Sequence, residues 1–201
     1  MELHEAIRRR AMVRSFASDS VDPAVVDRLL QAALRSPTAG NTGATAWLVL
    51  KGEGQTAQYW EATTDEAWRN TSRRWEGLRR APVILLAYVS SDAYLARYAE
   101  EDKAGSGLGV ATEAWPVPYW FGDAAFGVMA VLLAAVDAGL GACVLGNFHG
   151  ETALATTLGV PDEWRLFGAV VLGYADGEDY PSPSLSRPRP PDEARIRRGR
   201  W

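Results

Sequence analysis

Apolar residues recur with helical spacing near the start of the chain. Leu3, Ala6 and Ile7 share one face of residues 2–10, a stretch that ends in three arginines. Val25, Val26, Leu29, Leu30 and Ala33 repeat at intervals of three and four and predict a second amphipathic helix. Asp22-Pro23 suits its start, because Asp caps free N–H groups and Pro fits the first turn. Ser36-Pro37 ends it, since the residue before a proline avoids the helical region. The loop over 38–44 leads to a short apolar strand at 47–50, and 55–80 reads as helical and Arg-rich. Residues 83–89, after Pro82, are continuously apolar, the pattern of a strand buried on both faces. Residues 123–138 are apolar all round, which predicts a buried helix stopped by Gly139-Leu-Gly. A strand at 142–145, a helix at 151–158 ended by Gly159 and Pro161, and a strand at 167–173 complete the periodic segments.

Two stretches lack periodicity. Residues 90–120 contain Trp-Pro-Val-Pro-Tyr-Trp over 115–120, whose two prolines preclude regular structure there, so a loop or lid rich in aromatics is expected. From Tyr180 the chain is Pro- and Arg-rich and should lie extended along a surface. No repeat or composition break divides residues 1–201, so one domain is expected. Strands interspersed with helices, without a simple βαβ repeat, indicate an α+β fold.

Composition narrows the function classes. The 201 residues, 47% hydrophobic and 23% charged, allow one sizeable core. The net charge of −4 provides no global basic field for nucleic acid or an anionic membrane, so neither partner is expected. The longest apolar run, 126–138, is interrupted by Asp137 and is too short to span a bilayer. Cys143 is the sole cysteine, which excludes an intramolecular disulfide and suggests a reducing compartment. The start Met-Glu-Leu-His-Glu does not read as a signal peptide, and a cytoplasmic protein is expected.

Positive charge gathers at the two ends: Arg8, Arg9, Arg10 and Arg14, then Arg187, Arg189, Arg195, Arg197, Arg198 and Arg200. Arginines leaving a helix for an irregular turn suit a bound phosphate, because guanidinium offers a planar fork of donors. Solvated charges favoured by the helix dipole would produce the same pattern. If the two ends converge, they form a local anion site inside an acidic protein. With only His4, His149 and Cys143, no zinc site follows from spacing, and no metal is expected. No Gly-x-Ser-x-Gly, Gly-x-Gly-x-x-Gly or Gly-Lys-Ser/Thr pattern is present. Side chains therefore offer little covalent or metal chemistry, and a bound cofactor is the better account of any enzymatic activity.

Four separated segments, in order, resemble the FMN-dependent nitroreductase family. They are Arg-Ala-Met-Val-Arg-Ser-Phe over 10–16; Ser-Pro-Thr-Ala-Gly-Asn over 36–41 ahead of Trp47; residues 123–146 with their Gly-Leu-Gly; and Leu-Gly-Val-Pro over 158–161 with the strand and Arg-Pro-Arg-Pro-Pro tail that follow. The resemblance implies a central, mostly antiparallel sheet flanked by helices in an intertwined homodimer, with FMN between the subunits. It implies that residues 180–201 wrap the partner. Arg10, Arg14, Arg187 and Arg189 would grip the ribityl phosphate, and Ala11 and Met12 would run beside the cofactor. Pro37, Thr38, Ala39 and Asn41 would come from the other subunit against the ring, and Gly146 and Asn147 would sit by flavin N5. Trp115, Tyr119, Trp120 and Phe148 are candidates for an aromatic substrate wall, although core or dimer packing suits them equally.

The implied activity passes hydride from NAD(P)H through the flavin to a flat hydrophobic acceptor (nitroaromatic, quinone or enone) by a ping-pong mechanism. No catalytic side chain is called for, because the flavin carries the redox step. Arg73, Arg74, Arg79 and Arg80 are candidates for an NADPH 2′-phosphate site, with no pattern that selects among them. Two departures from the family pattern stand out. Met12 replaces a serine, and Thr-Gly-Ala-Thr-Ala over 42–46 replaces a shorter Gln-Pro sequence before Trp47. The altered loop motivates one alternative, a specialised flavin-dependent dehydrogenase or oxidase of a small-molecule pathway; a flavin-binding protein without turnover is a separate alternative of another class.

Overall fold

The computed structural model describes residues 1–180 and 182–200. Helices α1 (Leu3–Arg9) and α2 (Pro23–Leu34) precede strand β1 (Thr45–Lys51). Helices α3 (Glu53–Thr63), α4 (Glu66–Thr71) and α5 (Trp75–Arg79) lead to β2 (Val83–Val89). After α6 (Ser91–Tyr98) comes the long helix α7 (Tyr119–Asp137), which turns into β3 (Gly141–Leu145). Helix α8 (Glu151–Leu158) joins β3 to β4 (Arg165–Gly173), and the short α9 (Asp192–Arg195) lies near the end. The strands form one antiparallel sheet in the order β1-β2-β4-β3.

The continuous apolar run of β2 reflects its central place. Side chains alternate across a strand. Val83, Leu85 and Ala87 join the core formed with α2 and α7, while Ile84, Leu86 and Tyr88 join a second core with α3, α5 and α8. Each fully buried aliphatic side chain here contributes about 1.5–3 kcal/mol. A third cluster, Ala44, Val89, Tyr94, Trp115, Trp120 and Ala124, packs where α6 and the start of α7 meet the sheet.

Three regions differ from the pattern-based expectation. The helical reading of residues 55–80 resolves into three separate helices, and Asp65 starts the second by accepting the Trp68 N–H at 2.7 Å. Residues 90–120 are not wholly irregular: Ser90 caps α6, and short 3-10 turns occupy Ala104–Ser106 and Thr112–Ala114. Helix α7 starts at Tyr119, one turn before residue 123, and is only half buried. It buries Asp123, Ala124, Val128, Val131, Leu132 and Ala135, but leaves Phe121, Phe126 and Met129 open to solvent. The helix is long and apolar enough to cross a membrane by length and composition, yet one face packs on α2 and the sheet. In the tail, the described residues from 183 onward are exposed. Pro181 and Trp201, part of the expected 180–201 tail, lie outside the described residues.

Candidate functional site

Residues 10–16 run between β3 and α5. Val13 N–H donates to Ala142 O at 2.9 Å, Met12 bridges Ala142 in a parallel pairing, and Met12 Sδ accepts the Val144 N–H at 3.5 Å. Farther on, Phe16 N–H donates to Gly77 O at 3.2 Å. These bonds fix the backbone on which Ala11 and Met12 sit between the two arginines. Arg14 Nη1 donates to Met12 O at 3.0 Å, and the Arg14 backbone N–H donates to Asp179 Oδ2 at 2.9 Å. Burial pushes the Cys143 thiol pKa up, and Arg14, Asp179 and Arg74 all act on it electrostatically. The Arg10 guanidinium is half-buried and, among the described residues, has no hydrogen-bond or ion-pair partner. Arg187 and Arg189 are exposed, and among the described residues no hydrogen bond or ion pair joins them to Arg10 or Arg14.

At the end of β3 the chain opens into Gly146 and Asn147. Tyr59 hydroxyl donates to Asn147 Oδ1 at 3.5 Å, and burial, as the largest influence, pushes the Tyr59 pKa up to about 12. The phenol therefore remains a proton donor across the working pH range. Asn147 Nδ2 is buried without a partner among the described residues. Such a donor costs about 1–3 kcal/mol unless something pairs it. The loop then turns at Gly150, whose φ of +74° and close approach to α3 exclude a side chain: a Cβ there would lie 1.8 Å from Ala62 O. Beside this loop is a cavity of about 380 Å³ lined by Tyr59, Trp60, Trp68, Asn147 and Phe148 among others.

The 37–41 loop is built on different elements. Asp123 Oδ2 accepts both the Ala39 N–H and the Tyr94 O–H at 2.7 Å. Arg97 Nε donates to Gly40 O at 2.9 Å, while its other nitrogens grip Asp102. Thr38 Oγ1 accepts the Gly43 N–H at 2.9 Å. Pro37 and Asn41 are exposed, and Asn41 holds a φ of +54°, the one positive value at a non-glycine among the described residues. Among the described residues, no hydrogen bond links 37–41 to 10–14 or to 146–147.

The aromatic candidates separate. Trp115 and Trp120 are only 7% and 8% exposed and belong to the third core cluster, where Trp115 Nε1 donates to Leu108 O. They are packing residues, not an open wall, because the Tyr94 and Tyr98 rings fill the space against Trp115. Tyr119 is 45% exposed at the start of α7, and Phe148, 89% exposed, lines the cavity beside Gly146. Sequence reasoning missed the grip of Asp123, Tyr94 and Arg97 on the loop, although Asp123 is a lone carboxylate in an otherwise apolar stretch. It also missed Trp60 and Trp68. Among the described residues, no group of three or more His, Cys, Asp or Glu could hold a metal ion.

This donor set fits FMN: the two arginines of the 10–14 turn for its phosphate, an open glycine at a strand end, and an unpaired amide for a polar edge. The model of the Nitroreductase family matches residues 7–174. An "NADH dehydrogenase" from Thermus thermophilus is 27% identical over 195 residues, covering 90% of this chain and 89% of that protein. A "5,6-dimethylbenzimidazole synthase" from Rhodospirillum rubrum is 28% identical over 190 residues, covering 89% and 83%. A Desulfovibrio desulfuricans protein solved in complex with FMN superposes with a TM-score of 0.65 at 21% identity, covering 94% of this chain and 98% of that one. Nitroreductase CinD from Lactococcus lactis, solved with 4-nitrophenol, gives 0.70 at 19% identity, covering 94% and 100%. Mixed helices around an antiparallel four-stranded sheet are the fold of these neighbours, and the chain belongs to the nitroreductase family.

Proposed function

We propose that this protein is an FMN-dependent oxidoreductase that takes electrons from NAD(P)H and delivers them to a flat hydrophobic acceptor. The observation that carries this reading is the turn over 10–14, held on β3 by the Val13–Ala142 bond with Arg14 folded over Met12 O, beside a strand whose far end presents Gly146 and the unpaired Asn147 amide. When bound, FMN supplies the two-electron chemistry that these side chains lack. Arg10 and Arg14 hold its phosphate, joined by Arg187 and Arg189. Ala11 and Met12 lie along the cofactor, and Gly146 and Asn147 meet its polar edge.

The working form is a homodimer. The open Phe121, Phe126 and Met129 face of α7 supports this, since an exposed apolar patch marks an interface. So does a tail that finds little to pack against within its own chain. In the dimer, Pro37, Thr38, Ala39 and Asn41 reach the partner's cofactor. Phe148 and Tyr119 contribute to the acceptor's surroundings. A reducing cytoplasm suits the unpaired, buried Cys143.

A second reading, a dehydrogenase or oxidase serving one small-molecule pathway, draws support from the similarity to the R. rubrum synthase and from the altered 42–46 loop. Reconstitution with FMN tests both readings at once: each requires saturable binding, and Arg14→Ala should weaken it by about tenfold or more, since a charged hydrogen bond is worth about 1.5–3 kcal/mol. Reduction by NAD(P)H then separates the two.

A further inference from the structure

The 37–41 loop is held in a conformation that its own chain does not favour. Gly40 and Asn41 are consecutive residues in the left-handed region, with φ of +64° and +54°. Asparagine tolerates that region better than most residues, but such a backbone persists only where its surroundings fix it. The fixing contacts come from the end of α6. Arg97 Nε donates to the Gly40 carbonyl at 2.9 Å. The rest of the guanidinium is clamped by Asp102, Nη1 to Oδ1 at 2.6 Å and Nη2 to Oδ2 at 2.8 Å, and Nη1 also reaches Glu100 Oε2 at 3.0 Å. The neighbouring Tyr98 packs its ring against Gly40, where a Cβ would lie 2.6 Å from Cε2. Trp115 backs that ring with 4.6 Å between centroids.

Nothing within the chain uses what this bracing presents. Asn41 is exposed, its backbone N–H donates to Thr38 O at 2.9 Å, and among the described residues its side-chain amide has no hydrogen-bond partner. A free amide on a backbone fixed this firmly is preorganised for a group outside the chain.

Resting on the FMN reading and its homodimer, we infer that Arg97 is a positioning residue for the cofactor: through the Gly40 carbonyl it holds the left-handed turn that presents the Asn41 amide to the partner's flavin. The loop is then ordered before the cofactor arrives, and binding bears no cost for ordering it. Asp102 acts one step further out, by holding Arg97. The task calls for arginine, because one planar fork must serve the carbonyl and both carboxylate oxygens together, and an ammonium cannot. Arg97 acts through Asn41 rather than on the flavin, since all three of its side-chain nitrogens are engaged within the chain.

The test is a double-mutant cycle read by FMN binding. FMN fluorescence is titrated with wild-type protein, Arg97→Ala, Asn41→Gly and the double variant. Glycine at 41 keeps the positive φ while removing the amide. Arg97→Ala and Asn41→Gly should each weaken FMN by about five- to tenfold, the scale of one hydrogen bond, and the double variant should be weaker than Asn41→Gly by less than about twofold. Arg97→Lys should fail to rescue. Asp102→Asn alters a carboxylate that is 60% exposed, so the fold tolerates it, and should weaken FMN in the same direction by a smaller factor. In FMN-free protein, hydrogen exchange at the Asn41 N–H should speed up in Arg97→Ala while exchange within β2 stays unchanged. Equal losses from Arg97→Ala with and without the Asn41 amide would make Arg97 a purely structural residue and overturn the proposal. Unchanged FMN affinity in Arg97→Ala, or unchanged exchange at Asn41, would overturn it too. Wild-type protein that binds no FMN refutes the flavin reading and this role falls with it, whereas saturable FMN binding with an inert Arg97 refutes this role alone.

Discussion

The carboxylate of Asp123 meets the backbone N–H of Ala39 at 2.7 Å, across 84 residues of sequence. The same oxygen accepts the Tyr94 hydroxyl, whose pKa is pushed up first by burial and then by this carboxylate. One buried side chain in α7 therefore ties down the loop that carries Thr38, Ala39 and Asn41. Asp123→Ala strands two buried donors and should cost about 3 kcal/mol. Asp123→Asn, which retains an acceptor oxygen, should cost less than half as much. Urea unfolding of the two variants checks the order; equal and small losses would show that the loop is held by other contacts.

Gly150 is the tightest backbone approach beside the site. Alanine there faces both a φ of +74° and the Ala62 carbonyl at 1.8 Å. Left-handed strain of about 1–2 kcal/mol adds to overpacking of about 1–3 kcal/mol. Gly150→Ala should lower the melting temperature by well over 5 °C for a chain of this size, on the order of 2–4 °C per kcal/mol. An unchanged melting temperature would mean that the 146–150 loop moves freely away from α3.

The exposed stripe of α7 predicts assembly. A two-fold interface places the same residue in both subunits, so each substitution counts twice. Phe126, 54% exposed in the isolated chain, should be covered in the dimer. Loss of two buried rings at about 1.5–3 kcal/mol each predicts that Phe126→Asp raises the dimer Kd by roughly a hundredfold or more. Sedimentation equilibrium measures it, and a variant that stays dimeric at micromolar concentration would move the interface elsewhere.

Tyr59 and Tyr88 predict an alkaline weakness. Burial, the largest influence on each, raises both pKa values from 10.0 to about 12. The folded state then holds these protons more tightly than the unfolded state. Their linked stability is complete below pH 10, the unfolded value, and is lost as pH rises toward 12. Thermal melts from pH 8 to 12 with tyrosinate absorbance should show the melting temperature falling over that window. Tyr88→Phe should flatten the fall; a profile unchanged by the substitution would assign the loss to other groups.

Sequence pattern sufficed where one physical constraint dominates. The apolar run 83–89 could bury both faces only in a central strand, and it does so as β2. Asp22-Pro23 set the start of α2, with the Asp22 side chain accepting the Ala24 N–H. Pattern failed where polarity and environment decouple. The all-apolar α7 suggested full burial, because periodicity cannot tell a core face from a face reserved for a second chain. Trp115 and Phe148 look alike as aromatic loop residues, yet one is core and the other stands open; that difference depends on tertiary neighbours such as Tyr94 and Tyr98. The arginines at the two chain ends raised the possibility of a shared anion site, and among the described residues no hydrogen bond or ion pair joins Arg187 or Arg189 to Arg10 or Arg14 within one chain.

The most direct test of the central claim is an anaerobic absorbance titration of the FMN-loaded protein, first with NADH and then with NADPH. An FMN-dependent NAD(P)H oxidoreductase predicts stoichiometric bleaching of the visible flavin bands by at least one donor, with colour restored on adding a nitroarene or quinone. Failure to retain FMN after reconstitution, or bound FMN that stays oxidised under excess of both donors, would contradict it.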